Sequence, residues 1–134
     1  YGVCAIALSF LIRWLALVAI VSMGAYWVAF ITAGAVSRAS MVVLMAILPN
    51  ARDGGLSRSV GRPAQGTVWL AVLIAGGLAL LCGYPWTILV AAIVTAICAL
   101  IARAKIGGQT GDILGATQQV TEMAVLIAIV VTAT

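Results

Sequence analysis

The apolar positions of this chain gather into five blocks, each close to the roughly 20 residues that a helix needs to cross a bilayer core of about 30 Å. They cover residues 3–21, 26–48, 67–82, 86–102 and 113–132, and each predicts a transmembrane helix. The shorter blocks are tolerated where the membrane thins or flanking side chains snorkel. The breaks between them carry turn chemistry: residues 22–25 around Gly24, the stretch PNARDGGLSRSVGRPAQG over 49–66, GYP at 83–85, and RAKIGGQTGD over 103–112. Two links are therefore tight and two long, and the third and fourth blocks, joined by GYP, predict a helical hairpin of short spans. No internal repeat or low-complexity segment interrupts this pattern, which predicts an all-α polytopic bundle forming a single transmembrane domain over 1–134.

Five spans place the 49–66 and 103–112 loops on one face and the two tight turns on the other. Arg52, Arg58, Arg62, Arg103 and Lys105 all fall on the first face, whereas the tight turns carry no charge. The positive-inside rule therefore predicts that both long loops are cytoplasmic, with Tyr1 entering from that side and Thr134 ending outside. Trp27, Tyr84 and Trp86 fall at the expected outer ends of spans, where amphipathic rings anchor well.

Composition strengthens this picture. Of 134 residues, 65% are hydrophobic and 7% charged, and the mean hydropathy is +1.26, against about 25% charged residues in a soluble domain. Seven basic and three acidic side chains are too few to cover a water-facing surface. The net charge of +4 lacks the clustered basic stripe of a nucleic-acid binder and reads instead as an orientation signal. Cys4, Cys82 and Cys98 are widely spaced in apolar surroundings with no histidine to complete a metal site, so they read as small buried hydrophobes. The chain opens at Tyr1 without an initiator Met or a basic flank, so a fragment or a processed product is expected rather than a signal peptide.

Candidate chemistry concentrates in GGQTGDILGATQQVTEM, where a glycine-rich turn runs directly into the last span. Backbone N–H groups of Gly107, Gly108, Gln109, Thr110 and Gly111 could approach a phosphate at a helix N-terminus, and Asp112 could hold a Mg²⁺ bridging phosphate oxygens. The plainer alternative makes the glycines a turn and Asp112 a helix cap. Asp112, Gly115, Gln119 and Glu122 follow at steps of three, four and three, so they share one helical stripe. An acid such as Glu122 inside a span calls for a cavity or a cationic partner. Arg13 and Arg38 lie near the middles of the first two spans, where a cation costs at least about 2.5 kcal/mol; substrate phosphates, Glu122 and Asp112 are candidate partners, and snorkelling is the alternative. Ser37 and Ser40 beside Arg38 favour a cavity or a break in that helix. Arg52 and Arg58 face the same side as GGQTGD and could clamp an anion, although orientation alone would also put arginines there.

The order SR at Ser37–Arg38, AR at Ala51–Arg52 with GL at Gly55–Leu56, GGQTGD at Gly107–Asp112 and then Glu122 resembles the adenosylcobinamide-GDP ribazoletransferase family, also called cobalamin 5'-phosphate synthase, in its C-terminal half. The resemblance implies a multi-pass enzyme of a bacterial or archaeal inner membrane, with its active-site loops cytoplasmic. It implies a Mg²⁺-dependent transferase that joins α-ribazole or its 5'-phosphate to adenosylcobinamide-GDP and releases GMP. On that reading Asp112 organises the metal, Asp112 and Glu122 are the candidate catalytic acids, and the turn with Ser37, Arg38 and Arg52 contacts substrate. The family's aspartate-rich motif, expected in an upstream half, is absent, so this chain alone is expected to be inactive. A small transporter or channel subunit and a purely structural subunit are the competing expectations, and self-association is left open.

Overall fold

The protein is described by a computed structural model covering residues 2–24, 26–51 and 61–133. Five helices follow one another: α1 (Gly2–Ser22), α2 (Tyr26–Ile47), α3 (Gln65–Leu81), α4 (Trp86–Ile106) and α5 (Gly111–Ala133). They match the five apolar blocks, because a bilayer offers no water to satisfy peptide groups and a helix satisfies them internally. All but α3, which has 17 residues, are long and apolar enough to cross a membrane. Large apolar side chains face outward along the bundle, with Val3 80% and Leu81 86% exposed; such a surface is stable against lipid and not against water. This is a multi-pass membrane protein.

The helix ends differ from expectation at the loops. Arg103 and Lys105 lie in the last turn of α4 rather than in a loop, where cations oppose the negative end of the helix dipole. The long link predicted over 103–112 thus shrinks to residues 107–110, between Gly107, which closes α4 in the left-handed conformation (φ 82°), and Gly111. At the other membrane face α3 ends in a Schellman arrangement: Tyr84 N–H donates to the Ala79 carbonyl at 2.8 Å and Gly83 N–H to that of Leu80 at 3.1 Å.

Helix α2 is the hub and packs against all four others, most extensively against α5 and α3. Its contact face is made of small residues, Ala29, Ala33, Val36 and Ala39, which meet Ala75 and Ala79 of α3, Ala91 of α4, and Val125, Leu126 and Ile129 of α5. Small side chains let backbones approach closely, which is how helices associate in lipid without a hydrophobic driving force. A second cluster of Leu44, Leu48, Ala102 and Leu114 ties α2, α4 and α5 together at the loop end.

The predicted α3–α4 hairpin forms in sequence but not in packing. The two helices share a tight turn, yet α3 lies against α2 and barely touches α4. An apolar cleft of about 620 Å³ separates them, lined by residues such as Val36, Ser40, Gly76, Ile88, Ala92 and Ala96.

Candidate functional site

Two polar regions stand out, one at the loop end of the bundle and one within it. At the loop end the chain leaving α2 meets the turn that precedes α5. Gln109 N–H donates to the Pro49 carbonyl at 2.7 Å, and Ala51 N–H donates to the Gln109 carbonyl at 3.0 Å, making a one-residue parallel bridge between Asn50 and Gln109. The Gln109 side chain repeats the link, its Nε2 donating to the Met45 carbonyl and to Asn50 Oδ1, each at 3.1 Å. Gln109 is 1% exposed. Its neighbour must be glycine: a Cβ on Gly108 would collide with the Pro49 carbonyl oxygen and come within 3.1 Å of the Ala51 nitrogen.

The glycine-rich turn therefore divides. Gly108 and Gln109 are buried in the junction, whereas Gly107, Gly111 and Asp112 are exposed. Thr110, not Asp112, caps α5: its Oγ1 accepts the Ile113 N–H at 3.4 Å, and its carbonyl accepts the Leu114 N–H at 3.1 Å. Asp112 sits in the first turn of α5, an acid at the positive end of the helix dipole. Arg52 and Arg58 lie outside the described residues, although Ala51, the residue before Arg52, is held in the junction.

Within the bundle, Arg13 of α1 reaches α5. Its Nη2 donates to Gln119 Oε1 at 2.7 Å and lies 3.7 Å from Glu122 Oε2. Both charged side chains are about three-quarters buried, at 25% and 28% exposure, so the acid expected to need a cation has one. Gln119 and Glu122 are one turn apart and project together. Arg13 Nε and Thr121 Oγ1 are buried with no partner among the described residues.

These two regions do not converge. Asp112 and Glu122 are ten residues apart on one continuous helix, about 15 Å along its axis, so they cannot act on the same reacting atoms. Nor does Arg38 join either acid: its Nη1 donates to the Gly34 carbonyl of its own helix at 2.9 Å, and the side chain is exposed. Ser37 Oγ donates to the same carbonyl at 3.3 Å and Ser40 Oγ to that of Val36 at 3.0 Å. These local bonds satisfy the hydroxyls, and α2 runs unbroken; of the cavity or break expected there, the structure has the cavity, since Ser40 lines the cleft between α3 and α4.

Sequence reasoning missed Asn50 and the pairing of Gln119 with Arg13. The Pro49–Asn50 step signals the end of α2, but nothing in the sequence couples it to Gln109, 59 positions away. Among the described residues no three His, Cys, Asp or Glu side chains gather as a metal site.

Comparison with known proteins agrees with the resemblance drawn from the motifs. A model of the cobalamin-5-phosphate synthase family matches residues 1–130. The adenosylcobinamide-GDP ribazoletransferase of Bradyrhizobium diazoefficiens is 40% identical over 131 residues, covering 95% of this chain and 50% of the relative. That of Rhizobium meliloti is 42% identical, over 94% of this chain and 53% of the relative. That of Azorhizobium caulinodans is 35% identical, over 98% and 53% respectively. The chain thus spans about half the length of the curated relatives it matches. No solved structure matches it. With the family pattern continuous across nearly its whole length, the chain belongs to the cobalamin-5-phosphate synthase family.

Proposed function

We propose that the loop end of this bundle is the phosphate-handling face of an adenosylcobinamide-GDP ribazoletransferase. The observation that carries the reading is the junction at Gln109: it brings the turn bearing Asp112 against the start of the arginine-bearing loop. In the reaction a ribose hydroxyl of α-ribazole, or of its 5'-phosphate, attacks the cobinamide-linked phosphorus of adenosylcobinamide-GDP. A new P–O bond forms, the bond to the departing GMP breaks, and the hydroxyl proton passes to a base. Such a displacement depends on in-line positioning and on neutralising pyrophosphate charge.

Asp112 fits a Mg²⁺ site of the kind completed by substrate, because it is exposed and free of ion pairs among the described residues. Mg²⁺ is commonly held by one or two carboxylates plus phosphate oxygens. When bound it would offset charge on the pyrophosphate. Gly107 and Gly111, exposed on either side of the junction, are the parts of the turn open to a phosphate, and Arg52 is the candidate anion contact from the other loop. Glu122, engaged with Arg13 inside the bundle, serves better as a structural acid than as the base. Arg103 and Lys105 at the same end support a cytoplasmic face in a bacterial or archaeal inner membrane.

The test is a graft. This chain replaces the matching stretch of the Bradyrhizobium enzyme, and GMP release is followed with adenosylcobinamide-GDP and α-ribazole 5'-phosphate. Release is expected, and Asp112→Asn should lower it by about 100-fold or more with membrane insertion intact. Near-normal release from that variant removes Asp112 from the site, and substrate flux without GMP would replace the transferase reading by transport.

A further inference from the structure

The junction's geometry points to a role for Gln109 that the phosphate-turn reading does not contain: we propose that Gln109 is a positioning residue, setting the register between the loop leaving α2 and the first turn of α5. It does so from the inside, without touching substrate.

Four hydrogen bonds converge on this one residue. Its backbone N–H and carbonyl bind Pro49 and Ala51, and its side-chain amide binds the Met45 carbonyl and Asn50 Oδ1. Two acceptors facing one amide nitrogen require a donor there. Glutamate cannot supply it when ionised, and leucine fills similar space without bonding. The side chain is 1% exposed, so phosphate cannot reach it without dismantling the junction. Beneath it Leu44, Leu48, Ala102 and Leu114 fix the ends of the three helices, so the junction rests on a rigid base. A side-chain substitution removes the two amide bonds and leaves the two backbone bonds to hold the loops alone, so the helices stay packed while the loops gain freedom to drift relative to each other. Because Asp112 follows Gln109 by three residues, that drift changes the distance between the acid and the Pro49–Ala51 segment.

The catalytic consequence rests on the transferase reading; the register itself does not, and two measurements separate them. In the graft, Gln109→Leu is expected to lower kcat about 10- to 100-fold while KM for adenosylcobinamide-GDP stays within about threefold, since small misplacements act on the reacting geometry more than on binding. Exchanging side-chain lengths across the pair, Gln109→Asn with Asn50→Gln, should recover part of the kcat lost in Gln109→Asn alone. Independently of activity, spin labels at Pro49→Cys and Lys105→Cys, with Cys4, Cys82 and Cys98 replaced by alanine, are measured in this chain in nanodiscs. The parent should give one narrow distance and Gln109→Leu a broad one. An unchanged narrow distance, or unchanged kcat per folded molecule in an active graft, would overturn the proposal. Broadening in a system whose parent graft releases no GMP would uphold the register and sink the transferase reading instead.

Discussion

Arg13 and Glu122 show how a charge survives inside a bilayer. Alone, each would cost several kcal/mol in the hydrocarbon; as an ion pair, with Gln119 accepting a hydrogen bond from the same guanidinium nitrogen, the cost is offset. Breaking such a pair by removing one partner is worse than removing both, because the survivor is left uncompensated. Glu122→Gln alone is therefore expected to destabilise the protein by roughly 1–3 kcal/mol, discounted for its partial exposure. Arg13→Met with Glu122→Gln should regain most of that loss. Thermal midpoints of the single and double variants in detergent give the coupling; additive losses would show that the pair contributes nothing. Activity of the graft then assigns Glu122: a stable but inactive double variant makes the acid chemical, and a stable, active one makes it structural. The cost of an intramembrane acid was legible in the sequence, as was the demand for a cation. Which arginine answered was not, because the polar neighbours Ser37 and Ser40 pointed to Arg38, whereas the deciding factor is which neighbouring helix each side chain faces.

Among the elements, the spans were readable because apolar length alone decides what can cross a membrane. Their ends were less so, since Arg103 and Lys105 look like loop residues yet extend α4 by neutralising its terminal carbonyls. The 107–110 turn is the least readable element and the most constrained. A glycine-rich turn before a helix suggests a phosphate nest, whereas packing uses Gly108 to admit the Pro49 carbonyl. The two uses separate on substitution. Gly108→Ala forces the loops apart and should cost about 1–3 kcal/mol, the usual range for overpacking. Gly111→Ala, where an added Cβ meets nothing within 4 Å, should leave the melting temperature nearly unchanged. Equal losses at both positions would contradict the junction.

On the scale of the molecule, the parity of five spans put both candidate loops at one end, and the contact between Asn50 and Gln109 agrees. The third span's partner was not legible: α3 packs on α2, which precedes it across the long link, rather than on α4, which follows it across the tight GYP turn, a choice made by matching small-residue faces and not by the shortness of the connection. The positive-inside rule predicts the sidedness, which labelling tests. Lys105→Cys in a cysteine-free background should react with a membrane-impermeant maleimide only from the cytoplasmic side, and Met23→Cys only from the opposite side. Reaction of both from one side would remove the five-span arrangement.

The link between Arg13 and Gln119 spans 106 residues of sequence. At a translation rate of about 5–20 residues per second, the cation waits roughly 5–20 s before its acceptors leave the ribosome. During biogenesis the first span therefore has to be held at the translocon or ride high in the bilayer with its guanidinium at the headgroups, and it reaches its final depth only when the last span arrives. The contact that joins α1 to α5 is therefore among the last that this bundle makes.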